Sequence, residues 1–417
     1  MELRSGYKQT EVGVIPEDWG DVTLADVTTK IGSGITPTGG STRYRDVGRP
    51  FVRSQNIGWG RLILDDIAFI DEETHEQFAG TEIMQDDVLL NITGASIGRC
   101  AIADDRIGGG NVNQHVCIIR PDRRRTLGRL IKYGLLSVAG QRQIESYQSG
   151  GNRQGLNFQQ VAAIHFAAPP TLAEQSAIAT ALSDADSLIE SLEDLIAKKR
   201  QIKQGAMQEL LTGKRRLPGF SGAWEVKRLG DLAAFYKGKG LPKSAISSSG
   251  NVQCIHYGEL FTQYKETISE VISRTDPFDG SFRSVTNDVL MPTSDVTPNG
   301  LAKASCIMED DVALGGDILV IRPNSKQVFG PFLSFVIRHA KDQVLQLVTG
   351  TTVYHLYAAD MKKFIFALPS LSEQSAIATV LSDMDTELDA LTAKLAKARQ
   401  IKQGMMLELL TGRIRLI

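Results

Sequence analysis

One long segment of this chain is written twice. Residues 172–213 read LAEQSAIATALSDADSLIESLEDLIAKKRQIKQGAMQELLTG and residues 371–412 read LSEQSAIATVLSDMDTELDALTAKLAKARQIKQGMMLELLTG. The offset is 199 residues without a gap, and 27 of 42 positions are identical. A repeat of this size signals one structural unit used twice. Each copy ends one half of a 417-residue chain, so two similar halves are expected.

The repeats carry a helical seam. In the second copy the apolar positions are Ile377, Leu381, Met384, Leu388, Leu391, Leu395, Ala398, Met405 and Leu409, spaced alternately by four and three with one longer step across Lys402. That is a heptad pattern. The first copy answers with Ile178, Leu182, Ala185, Ile189, Leu192, Ile196, Lys199, Ala206 and Leu210. Lys203 and Lys402 fall on the seam itself, where a polar residue specifies register. A helix of this size would be about 60 Å long at roughly 1.5 Å per residue. It cannot bury its stripe alone, so the two copies are expected to pair, antiparallel, about a pseudo-twofold axis. Thr171 and Ser370 are natural N-caps, with Glu174 and Glu373 at the capping-box spacing. Gly213 and Gly412 suit C-terminal caps. Gly205 and Gly404, inside the helices, predict a close backbone approach or a kink.

The remaining blocks are related more loosely. Trp19 precedes VTLADV and Trp224 precedes VKRLGDL; DDVLLNIT (86–93) parallels NDVLMPTS (287–294), and HVCIIRP (115–121) parallels DILVIRP (317–323). Each block reads as short strands, polar loops and one or two helices. The expected class is α+β: two α/β globules at 1–170 and 214–369, a central helix at 171–213 and a C-terminal helix at 370–417. LLTGKRRLPGF links the first helix to the second globule, and LLTGRIRLI would re-enter the first globule at VIPEDW. The two chain ends are therefore expected to lie together.

Catalytic signatures are missing. There is no GxxxxGK[ST] phosphate loop, no HExxH, and no NPPY-like tetrapeptide for adenine methylation. The six histidines (His75, His115, His165, His256, His339 and His355) are dispersed, and Cys100, Cys117, Cys254 and Cys306 form no CxxC pair. No metal or cofactor is expected on this chain. The net charge of −2 disfavours non-specific coating of nucleic acid but leaves local basic patches open. No apolar run approaches membrane-span length, and the N-terminal stretch lacks an export core; the reading is a cytoplasmic protein with no membrane partner. The absences point to a binding protein.

In this light the chain resembles the DNA specificity subunit of type I restriction–modification systems. The resemblance rests on KQTEVGVIPEDW, the twice-used EQSAIATxLSDxD and RQIKQGxMxELLTG, and the globules between them. It implies two target recognition domains, each reading one half of a bipartite, asymmetric double-stranded DNA site. It implies paired helices that set the spacer and dock two modification (methyltransferase) subunits, through which restriction (translocase–nuclease) subunits join. The subunit would be non-catalytic, with S-adenosylmethionine held by the methyltransferase. The competing reading is a coiled-coil scaffold with globular ends and no DNA role.

Base reading calls for Arg or Lys toward guanine and Asn or Gln toward adenine, on loops that reach a groove. In the first globule such residues are Arg43, Arg45, Arg53, Gln55, Asn56, Asn91, Thr93, Asn111, Asn113, Gln114, Asn152 and Arg153. In the second they are Lys237, Lys239, Lys243, His256, Tyr257, Thr293, Ser294, Thr351, Tyr354 and His355.

Overall fold

Both repeats are single uninterrupted helices in a computed structural model that describes residues 5–34, 36–148, 155–247, 249–277 and 280–416. They span Leu172–Leu210 and Leu371–Leu409. The side chains of Thr171 and Ser370 cap them, accepting the N–H of Glu174 at 3.2 Å and of Glu373 at 3.4 Å. Gly213 and Gly412 follow their ends at φ +69° and +66°, the left-handed geometry that favours glycine.

The chain divides into two compact units, residues 1–192 with 394–417, and residues 193–393. Each unit therefore holds one globule, the start of one long helix and the end of the other. In the first unit Arg415 meets Glu174 and Lys402 meets Asp186 at 2.5 Å, so numbers rise on one helix as they fall on the other. The second unit repeats this: Arg216 meets Glu373 at 2.5 Å and Lys203 meets Asp385 at 2.6 Å. Within each unit the segments are antiparallel, and the pairs correspond through the 199-residue offset. The two lysines predicted on the seam are thus neutralised by aspartates from the facing helix. Their side chains are only 14% and 18% exposed, so a shift of register would strand a charge.

The seam residues pack as their spacing requires. Ile178, Leu182, Leu192, Ile196, Leu210, Ile377, Leu381, Leu395 and Leu409 are buried, and Ile189, Met384, Leu388, Leu391 and Met405 are half-buried. The capping-box glutamates behave differently from expectation. Glu174 and Glu373 are buried and take arginines from the chain beyond the other helix, Arg415 and Arg216. Arg415 also pairs with Asp18 at 3.0 Å, and the Tyr7 hydroxyl donates to the Gly412 carbonyl at 3.2 Å, which ties the C-terminal segment to the N-terminal one.

Gly205 and Gly404 correct another expectation. A Cβ at either would meet no heavy atom within 4 Å, and neither interrupts its helix. No close approach or break explains them. Gly205→Ala and Gly404→Ala should each stabilise the chain by about 1 kcal/mol through helix propensity. Thermal unfolding of the variants checks this, and a fall in Tm would reveal a constraint on these positions that packing does not supply.

Each globule is built on an antiparallel sheet. In the first the order is Thr28–Ser33, Val116–Pro121, Val88–Asn91, Cys100–Ile102. In the second it is Ala233–Lys237, Ile318–Pro323, Asp288–Pro292, Ser305–Ile307, with Thr267–Ile268 added in parallel at the edge. A smaller sheet accompanies each, around the parallel pairs Arg49–Val52 with Asn111–Val112 and Val252–Ile255 with Ala313–Leu314. Helices Gly128–Leu136 and Gly330–His339 bury apolar faces on the larger sheets. A buried bidentate ion pair also recurs: Asp87 with Arg120 and Asp288 with Arg322, all at 2.8 Å.

The four cysteines are buried free thiols. Burial pushes Cys100 and Cys117 up to about 12, so they stay protonated and inert near neutrality. Among the described residues, no cluster of His, Cys, Asp and Glu could hold a metal ion, and no helix is long and apolar enough to cross a membrane.

Candidate nucleic-acid interface

Strand direction decides which loops share a surface. In the first globule the chain leaves Ser33, Val52 and Asn91, and enters Val116, at one end of the sheets. The loops after these strands carry most of the polar candidates. In the second globule the same end is formed where the chain leaves Lys237, Ile255 and Pro292 and enters Ile318. A shared backbone bond fixes the correspondence: Ile92 N–H donates to the His115 carbonyl and Thr293 N–H to the Asp317 carbonyl, each at 3.0 Å.

Several amides of the first globule are spent inside the fold. Asn56 is 1% exposed; its Oδ1 accepts the Arg53 N–H and its Nδ2 donates to the Ile63 and Asp66 carbonyls. Asn91 and Asn111 are fully buried, donating to the Ser54 carbonyl at 2.8 Å and to the Phe78 carbonyl at 3.0 Å. Asn113, 9% exposed, accepts the His115 N–H at 3.0 Å in an Asx turn. These four shape loops and leave little edge for a base.

The charged candidates differ in availability. Arg45 pairs with Asp71 at 3.2 Å, and Arg53 with Asp66 at 3.3 Å while lying over the Tyr44 ring. Gln55 also donates to Asp66. Arg43 is exposed, its Nε donating to the Thr38 carbonyl at 3.3 Å. Asn152 and Arg153 lie outside the described residues. At the loop corner Thr93 Oγ1 and His115 Nδ1 are 2.6 Å apart, and Gln114 stands exposed beside them.

The second globule gathers different chemistry at the corresponding corner. A cleft of about 680 Å³ is lined by Tyr236, Lys237, Thr293, Ser294, His355 and Tyr357. Ser294–Asp295 pairs with Tyr354–His355, and His355 stacks on exposed Tyr357 with ring centroids 6.0 Å apart. Lys237 is 3.6 Å from Asp317. His256 Nδ1 accepts the Gly258 N–H at 3.1 Å, and its ring lies 4.6 Å from that of Tyr257. Lys239, Lys243 and Thr351 are exposed.

Sequence reasoning passed over Thr36, His115, Asp317 and Tyr357 as partners in these corners. It also passed over Trp59, which is 58% exposed on a glycine-flanked turn. His115 and Asp317 had a visible signal, since each opens the repeated strand.

Residues 16–202 and 222–400 each match the family model of the type I restriction modification DNA specificity domain. The chain belongs to that family. Similar proteins include a putative type I restriction enzyme MjaX specificity subunit of Methanocaldococcus jannaschii, 24% identical over 98% of this chain and 96% of that one. The fold of this family member is similar to a type I restriction–modification S subunit from M. genitalium, with a TM-score of 0.60 and 13% identity, covering 98% of each chain. It is also similar to a chain from a study of complex assembly and conformational transition of the type I R-M system, with a TM-score of 0.53, 15% identity, and 96% and 99% coverage. The match falls once on each half, as the repeated sheets and ion pairs do.

Proposed function

We propose that this chain is the non-catalytic specificity subunit of a cytoplasmic type I restriction–modification complex. Each globule reads one half of a bipartite double-stranded DNA target through the loop corner at the end of its larger sheet. The observation that carries this is the repetition of one topology with unlike polar groups at the same corner: Gln114 and His115 in one copy, Lys237, Asp317 and His355 in the other. A conserved frame with different readers fits an asymmetric site, because hydrogen-bonding groups at base edges carry the sequence information. The globules, residues 1–170 and 214–369, are the recognition domains in this reading. From the first, Arg43 and Gln114 remain as readers, with Thr93 beside them against His115; from the second, Lys237, Lys239, Lys243, Thr293, Ser294, Thr351 and His355.

The long helices set the spacer and dock two methyltransferase subunits, which hold S-adenosylmethionine and through which restriction subunits join. Support comes from identity where packing does not demand it. Gln201, Ile202, Gln204 and Gly205 recur as Gln400, Ile401, Gln403 and Gly404, and the two isoleucines are 47% and 50% exposed. In the first unit Gln400, Gln403, Gly404 and Leu407 line an apolar groove of about 660 Å³ with Leu136 and Val138. The same exposed residues offered twice suit two copies of one partner.

The test is methyl transfer from labelled S-adenosylmethionine to DNA. The purified chain alone should transfer nothing; with its methyltransferase partner it should direct methylation to adenine in one bipartite sequence. Ile202→Asp with Ile401→Asp should weaken assembly at least about tenfold, as loss of central apolar contacts does. Methylation by the chain alone, or by the complex without sequence preference, would overturn the proposal.

A further inference from the structure

Resting on the DNA-reading role above, we infer that Gln114 reads an adenine in the first half-site, with His115, Thr36 and Thr93 holding its amide in the reading orientation. Gln114 follows the Asx turn of Asn113, which directs it out of the fold just before strand Val116–Pro121. Its Nε2 lies 3.0 Å from His115 Nε2, and its Oε1 accepts from the Thr36 hydroxyl. An amide nitrogen only donates. With Gln114 Nε2 donating, His115 Nε2 is the acceptor, and the other ring nitrogen, Nδ1, lies 2.6 Å from Thr93 Oγ1, which anchors the ring. Contacts at both ends of the amide, to His115 and to Thr36, thus hold the Gln114 side chain in place.

What this leaves exposed is specific. One Gln114 N–H and one lone pair of its oxygen are used, so one donor and one acceptor remain on an exposed side chain. In the major groove adenine presents an N6–H donor beside the N7 acceptor, which fits that pair. Guanine presents two acceptors, cytosine one donor, and thymine one acceptor with a methyl group. Holding the amide before DNA arrives also removes rotamer freedom that would otherwise be lost on binding.

The other amide candidates described in the first globule do not compete. Gln55 is engaged by Asp66, and Asn56, Asn91, Asn111 and Asn113 are buried. The second globule lacks the device: His115 corresponds to Asp317, and Gln114 to Gly316. Any effect on specificity therefore belongs to one half-site.

The experiment uses the chain assembled with its methyltransferase partner and a library of randomised DNA, scoring the bases selected at every position. Wild type should require adenine at one position of one half-site. Gln114→Ala should relax that position by about tenfold or more, as loss of a bidentate base contact does, and leave the other positions unchanged. Thr36→Val and His115→Phe should relax the same position, while Thr36→Ser keeps the hydroxyl and should restore it. A Gln114→Ala complex that selects the wild-type sequence, or one weakened equally at all positions, overturns the inference and leaves the DNA-reading role standing. A wild-type complex that selects no sequence overturns both.

Discussion

Inserting one heptad into each long helix is expected to lengthen the gap between the two half-sites by about three base pairs. Seven helical residues add about 10 Å, and one base pair of duplex rises roughly 3.4 Å. The insertions belong between Leu192 and Ile196 and between Leu391 and Leu395, positions equivalent under the repeat. A seven-residue step keeps the seam in phase, because the apolar positions recur every seven residues. It also leaves Lys402 opposite Asp186 and Lys203 opposite Asp385, since each of these pairs closes inside its own unit. Methylome sequencing of cells carrying the lengthened chain with its partners reads the result. A motif with its original spacer would show that helix length sets no distance. Inserting the heptad in one helix alone throws the facing seam out of register and should abolish methylation.

The second large effect is on stability. Asp87→Ala should destabilise the first globule by about 3–5 kcal/mol, the usual loss when one partner of a buried ion pair is removed. The Asp87 carboxylate is fully buried; it accepts Nε and Nη2 of Arg120 at 2.8 Å and the Met84 N–H at 2.8 Å. It also holds the Arg120 guanidinium above its ordinary range, chiefly by that hydrogen bonding. Removing it leaves the Met84 N–H without its acceptor and the Arg120 cation, 20% exposed, without its carboxylate and holding the Glu82 carbonyl at 2.9 Å. A loss of this size is a large fraction of the roughly 5–15 kcal/mol typical of a domain. Hydrogen exchange of residues 88–121 in the full chain should rise strongly, while 289–321 in the second globule should hold. Because these strands lead to Thr93 and Gln114, recognition of the first half-site should fail first. Unchanged protection in the first globule would show that the pair is dispensable.

Much of the architecture was legible without coordinates, for a local reason. The heptad seam, the helix caps and the capping glycines depend on residues within one or two turns of each other, and each appeared at its expected place. The repeated strings DDV and NDV, and IIRP and VIRP, already contained both buried ion pairs, although nothing in them said that Asp87 would meet Arg120. The candidate readers were less legible. Asn56, Asn91 and Asn111 have the residue type that reads adenine, yet they build loops from the inside, because an amide satisfies buried backbone groups as readily as it meets a base.

By itself the sequence determined that the chain is a repeat, that each half ends in a long amphipathic helix, and which side chains form its buried stripe. Periodicity suffices for that, since burial of a stripe follows the turn of the helix. Only the tertiary structure decided that Glu174 and Glu373 receive arginines from beyond the other helix, that Gly205 and Gly404 face open space, and that Thr36, Thr93 and His115 surround Gln114. These partners lie up to 241 residues apart in the chain, and such pairings are set by how the elements pack, which no local pattern encodes.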